Sequence, residues 1–182
     1  MMVGRRPRTK IQARALLVFG APCSGKTTFS QKFANRFKAS HYDLDEIREK
    51  YNIDRNFILI LLTEITKTGQ TLVIEGGIGT EAERLEVRNI LRAAGYRSFL
   101  IWIQTDVASI RARLGARHRS ARKAKVIYEE SIKNLEAPSE SESPIVISGK
   151  HTFETQLRHV LRGLAWLSKT PSSATLLFAK MP

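Results

Sequence analysis

The sequence is poor in the features that mark secreted, disulfide-built or membrane-embedded proteins. Among 182 residues there is one cysteine, Cys23, so no internal disulfide frames the fold and a reducing compartment suits it. No apolar run approaches the ~18 residues of a membrane span, and the longest, Phe57 to Leu62, falls far short. No acidic residue precedes Asp43. No internal repeat is visible, and no Asn-Lys-x-Asp motif for reading guanine occurs. Aromatics at 8% and hydrophobic residues at 42% are those of an ordinary globular protein, enough for one core.

What the chain has in excess is positive charge: 30 Lys and Arg against 17 Asp and Glu, a net +13. Such an excess concentrates anions. Nucleic acid, a nucleotide and a phosphorylated metabolite all qualify, and charge alone does not choose between them. Basic residues also crowd Met1 to Arg14 (Arg5, Arg6, Arg8, Lys10, Arg14). The apolar run that follows leads straight into a glycine-rich loop, so cleavage there as a secretory signal would destroy that loop. A cytoplasmic protein is expected, without a membrane partner, as a monomer or homodimer.

Strand and helix signals alternate. Short apolar or β-branched runs predict strands over Ala15–Phe19, Ala39–Tyr42, Thr71–Ile74, Ser98–Ile103 and Pro144–Ile147. Between them, Phe29, Phe33 and Phe37 stripe a helix from Gly25. Phe57, Ile58, Leu61, Leu62 and Ile65 stripe another that stops before Gly69. Thr80 with Glu83 reads as a capping box opening a helix to Ala94. Helices are also expected from Val107 to Leu114, from Lys123 to Leu135, and over a stretch carrying Phe153, Leu157, Val160, Leu161 and Leu164. Glu136 to Pro144 reads as a polar loop.

The expected fold is α/β: a three-layer α/β/α sandwich around a mostly parallel five-stranded sheet, with a basic helical lid. Its expected divisions are a basic tail over 1–13, a domain over 14–169 with its lid at about 114–130, and a tail over 170–182. In such sheets ligands bind beyond the carboxyl ends of the strands, and the residues of interest follow the strands.

After the first strand, Gly20-Ala21-Pro22-Cys23-Ser24-Gly25-Lys26-Thr27 fits G-x-x-x-x-G-K-[ST], with Thr28 next. Glycines let successive N–H groups face one concavity and cradle phosphate oxygens, and the helix after Gly25 adds its positive end. Lys26 is placed to reach the β- and γ-phosphates of ATP, and Thr27 offers a hydroxyl to Mg²⁺. After the second strand come Asp43 and Asp45. In an extended segment both carboxylates point to one side, one toward hydrated Mg²⁺ and the other toward the proton of an attacking hydroxyl. Arg48 would lie a helical turn on, where it can hold an acceptor. The same residues can instead simply cap a helix. After the third strand, Glu75 is a second candidate to assist Mg²⁺, and Gly76 and Gly77 allow close approach of a substrate. After the fourth, a basic stretch holds Arg111, Arg113, Arg117, His118, Arg119, Arg122, Lys123 and Lys125. Of these, Arg113 and Arg117 are the expected pair to neutralise charge on a transferred phosphoryl group.

Together these residues resemble the small kinases of the adenylate-kinase-like group: shikimate and gluconate kinases, zeta toxins, chloramphenicol phosphotransferase and polynucleotide 5′-kinases. The resemblance runs from about Ala15 to Leu167. Gly20 to Thr28 is similar to the G-x-P-G-[SA]-G-K-[ST]-T loop of the zeta toxin and polynucleotide kinase branch, with Cys23 replacing the middle glycine. Asp43-Leu44-Asp45-Glu46-Ile47-Arg48 resembles the D-x-D-x-x-R stretch. That match implies Asp45 as general base, Arg48 as a substrate contact and Asp43 as the acid near Mg²⁺. Where relatives often carry aspartate, this chain has Glu75. Arg113 to Arg122 falls at the family's lid. The resemblance implies transfer of the ATP γ-phosphate to a hydroxyl of a small molecule. A polynucleotide 5′-hydroxyl acceptor and a nucleotide-dependent switch without transfer are the alternatives.

Overall fold

The structure, a computed structural model, describes residues 13–169. The expected tails fall outside that range except for Ala13. Five strands and seven helices follow in the order β1 (Arg14–Phe19), α1 (Lys26–Phe37), β2 (Ser40–Asp43), α2 (Leu44–Tyr51), α3 (Arg55–Thr66), β3 (Leu72–Glu75), α4 (Glu81–Ala93), β4 (Arg97–Gln104), α5 (Val107–His118), α6 (Ala121–Lys133), β5 (Ile145–Ser148) and α7 (Phe153–Lys169). The strands form one sheet, all parallel, in the order β2-β3-β1-β4-β5. The expected three-layer architecture is the one observed.

Central β1 explains itself from sequence. Both its faces are covered, so Ala15 to Phe19 are all buried and carry no polar alternation. On one face α1 and α7 bring Phe29, Phe33, Val160 and Leu164 against Leu16, Val18, Ile101 and Ile103. On the other, α3 and α4 bring Ile58, Leu62, Val87 and Leu91 against Leu17, Phe19, Ile74 and Leu100. Register sets the crevice. Val18 pairs with Glu75 and Asp43 pairs with Glu75, so the carboxyl ends of β1, β3 and β2 finish level.

Helix α2 departs from expectation. The stretch after β2 does not stay extended: Leu44 already begins a helix, and Asp43 is its cap, accepting from Asp45 N–H and Glu46 N–H at 3.1 Å each. The loop before β5 also differs from a plain polar connection, because its 3-10 turn Glu140–Glu142 sends Glu142 inward.

Candidate active site

The loop after β1 is shaped by backbone that only certain residues tolerate. Gly20 has φ 154, and a Cβ there would lie 2.4 Å from the Ile103 carbonyl oxygen. Gly25 has φ 107 and forms the start of α1 without any side-chain cap, whereas α2 to α6 are capped by Asp43, Asp54, Thr80, Asp106 and Ser120. The first N–H groups of α1 are therefore left for an external anion. Cys23 sits at φ 56, in the left-handed region that costs a non-glycine residue about 1–2 kcal/mol. Its side chain packs against the cluster of Ile110, Leu114, Ala124 and Tyr128 between α5 and α6, which ties the loop to that hairpin.

Lys26 Nζ lies inside the loop and donates to the Gly20 and Ala21 carbonyls at 2.9 and 3.0 Å. Burial pulls its ammonium below the ordinary lysine value, while the carboxylates of Glu75, Asp43 and Asp45 push the other way. Ser24 is fully buried, and its hydroxyl has no hydrogen-bond partner among the described residues.

Across the crevice, the turn after β3 presses on the start of α2. Gly76 has φ 75, and a Cβ there would lie 2.6 Å from Asp45 N, 2.7 Å from Asp43 Oδ1 and 3.0 Å from Asp45 Cγ. Only glycine lets this turn lie against both aspartates. Asp45 reaches the crevice from the first turn of a helix, not by strand alternation. It holds Arg48 at 3.6 Å, with the two side chains 58% and 51% exposed. Glu75 is not a solvated turn residue: it is fully buried, with Oε1 2.7 Å from His41 Nε2 and Oε2 accepting from the Thr27 hydroxyl at 3.3 Å.

One cavity of about 900 Å³ collects much of this. Pro22, Cys23, Gly25, Lys26, Thr27 and Thr28 line its loop side, and Asp43, Asp45 and Gly76 line its far side. Arg113 and Arg117 close the third side. Gly20, Ser24, Arg48, Glu75 and Gly77 do not line it. Arg113 rests on the loop itself, donating to the Cys23 and Gly149 carbonyls at 3.0 and 3.1 Å. Among the described residues no three His, Cys, Asp or Glu side chains cluster to hold a metal unaided. Mg²⁺ does not need them, since it keeps several waters and is held by one or two protein groups plus substrate phosphates. The donor set of an ammonium, hydroxyls, carboxylates and an uncapped helix start fits a nucleoside triphosphate with that ion.

Several residues escaped sequence reading. Gly149 is one: a Cβ there would fall 2.0 Å from the Ser24 carbonyl oxygen and 2.1 Å from Thr105 Oγ1. Asp106 caps α5 and pairs with Lys150 at 2.5 Å, which holds its carboxyl below the usual range. Lys32, His151 and Gln156 line the cavity from α1 and the start of α7. Arg84 is another. It is fully buried, binds Glu142 through Nε and Nη2 at 2.7 and 2.9 Å, donates to the Gly79 and Glu136 carbonyls, and lies 4.8 Å over the Phe19 ring. It joins the glycine turn to the segment leaving α6.

A phosphate loop after the central strand, acids at the ends of β2 and β3, and a basic hairpin after β4 define a P-loop nucleoside-triphosphatase fold of the small-kinase kind. Residues 16–139 match the model of a family of AAA domains, and the chain belongs to that family. No match is found among curated proteins. Among solved structures, a gluconokinase from Sinorhizobium meliloti superposes with TM-score 0.63 at 16% identity, covering 92% of this chain and 98% of that one. A sugar kinase from Janibacter gives 0.64 at 20% identity, over 87% and 96%. The Mycobacterium tuberculosis APS kinase in complex with AMPPNP and APS gives 0.62 at 14%, over 85% and 98%. These likenesses establish the fold. No helix among the described residues is long and apolar enough to cross a membrane.

Proposed function

We propose that the chain is an ATP-dependent kinase that transfers the γ-phosphate of Mg-ATP to a hydroxyl of a small-molecule acceptor in the cytoplasm. One observation carries this reading: Asp43 and Asp45 face the same cavity as Lys26, Thr27 and the uncapped start of α1. A site that only bound nucleotide would have no use for a second carboxylate pressed against a glycine turn.

Bound Mg-ATP supplies the phosphoryl group and neutralises charge on its oxygens. The protein does the rest by position. The N–H groups of the loop and the first turn of α1 hold phosphate oxygens. Lys26 exchanges the Gly20 and Ala21 carbonyls for the β- and γ-phosphates. Thr27 would offer its hydroxyl to the ion, and Asp43 and Glu75 would help to hold it. Asp45 accepts the proton of the acceptor hydroxyl. Arg48, Gly76 and Gly77 bear on the acceptor, and Arg113 and Arg117 neutralise charge that develops in transfer. The net charge of +13 favours a polynucleotide 5′-hydroxyl as the second choice of acceptor.

The test is to incubate the protein with γ-phosphate-labelled ATP, Mg²⁺, a dephosphorylated metabolite extract and a 5′-hydroxyl oligonucleotide. Label should move to a small molecule, and Lys26→Ala should abolish the transfer. Label on the oligonucleotide, weakening steeply with salt, would select the second acceptor class. Label confined to ATP and free phosphate in every mixture would turn the reading toward a nucleotide switch.

A further inference from the structure

We infer that His41 is a positioning residue that fixes the buried Glu75 carboxylate toward Thr27, so that the gain in nucleotide affinity from Mg²⁺ depends on it. The inference rests on the nucleotide-and-metal half of the reading above and is independent of the acceptor.

Strand register dictates the contact. β2 and β3 pair His41 with Val73 and Asp43 with Glu75. Alternate residues of a strand share a face, and Val73 lies in the cluster with Phe29 and Phe33 of α1. His41, Asp43, Val73 and Glu75 therefore all project toward α1, which carries Thr27 in its first turn. His41 is the diagonal neighbour of Glu75, a separation that long side chains bridge. The observed distance of 2.7 Å shows that they do.

Glu75 has no exposure, so its orientation depends on the side chains packed around it. Each of its two oxygens has one side-chain partner: His41 holds Oε1, and the Thr27 hydroxyl donates to Oε2 at 3.3 Å. A buried carboxylate stripped of a partner turns toward whatever donor is left. With His41 holding one oxygen, the second oxygen faces the hydroxyl that is to hold the ion. His41 lies on an edge strand, outside the cavity lining, so it acts through Glu75 and not on a bound ligand. Outer partners of this kind typically change metal affinity by about 10–100-fold when removed.

The experiment measures ADP binding by calorimetry in Mg²⁺ and in EDTA, for the full chain and two polar variants. His41→Gln keeps an N–H within reach of Glu75, whereas the amide of His41→Asn is too short. The wild-type chain should bind ADP more tightly with Mg²⁺. His41→Asn should lose that gain by on the order of tenfold while its EDTA affinity and melting temperature stay near wild type. His41→Gln should recover most of it. Equal Mg²⁺ gains in all three proteins would overturn the inference. So would an equal fall of both affinities in His41→Asn, which would mark a merely structural role. A wild-type chain that binds ADP in neither condition would instead remove the nucleotide reading itself.

Discussion

At the centre of the sheet, the loop after β1 is fixed by close approaches of main chain and by one arginine that holds its carbonyls. Gly20 lies against the Ile103 carbonyl, Gly149 against the Ser24 carbonyl, and Arg113 bridges Cys23 to Gly149. At the sheet edge, Asp45 and Arg48 stand more than half exposed and hold one another loosely at 3.6 Å. The same crevice thus joins a rigid half, where shape decides, to an exposed half, where side-chain chemistry decides. Side chains at the exposed half can change without repacking a core, so one phosphate-binding frame can serve different acceptors.

The largest expected break lies beneath both halves, at Arg84. Removing one partner of a buried ion pair strands the other charge and costs about 3–5 kcal/mol. Arg84→Met should therefore lower the melting temperature by roughly 10 °C, at about 2–4 °C per kcal/mol for a chain of this size. The loss should depend on pH. Burial raises the Glu142 pKa, but hydrogen bonds from Arg84 and the Ser139 N–H lower it more, to a net value below the ordinary 4.5. A depressed carboxyl contributes stability above its unfolded pKa and loses it as pH falls through the folded one. Thermal melts across pH should show the penalty of Arg84→Met in full near neutrality and shrinking below about pH 4.5. A penalty that did not vary with pH would mean that the pair does not hold the turn.

The two halves were unequally legible in the sequence. The loop was readable because glycine at a fixed spacing reports backbone that other residues avoid. Strands β1, β3 and β4 were readable because burial on both faces leaves continuous apolar runs. Helix α2 was not, since it buries only Leu44 and shows no apolar stripe. Its cap, Asp43, is also the last residue of a strand, so local pattern alone could not separate cap from catalyst. Arg84 gave no signal in the sequence, because its partner lies 58 positions away in a run of serines and glutamates. Gly149 carries no left-handed φ, so no turn signal announces it. Its constraint comes only from Ser24 and Thr105 across the fold.

A smaller effect is expected at Gly149, and it would sharpen the division. A Cβ 2.0 Å from the Ser24 carbonyl oxygen must push the loop aside. Overpacking of this kind costs about 1–3 kcal/mol, and moving the loop should weaken ADP binding by roughly tenfold, about 1.4 kcal/mol. Gly115→Ala in α5, where nothing lies within 4 Å, is the control; it should stabilise by about 0.5–1 kcal/mol and leave binding unchanged. If calorimetry showed equal ADP affinity for the two variants, the loop would be softer than its contacts imply.

The smallest effect on stability should come from Asp45→Asn, and it should carry the largest effect on transfer. An exposed ion pair is worth about 0–1 kcal/mol, so the melting temperature should stay within a few degrees. ADP affinity should stay within about twofold, because the loop supplies it. Loss of a general base slows transfer by about 10²–10⁴-fold, measured as label moved to the acceptor. Asp43→Asn is the informative partner, since asparagine still caps α2. If Asp43→Asn abolished transfer and Asp45→Asn did not, the base would be the cap residue, held by the N–H groups of Asp45 and Glu46, and the chemistry would not depend on the loosely held Asp45–Arg48 pair.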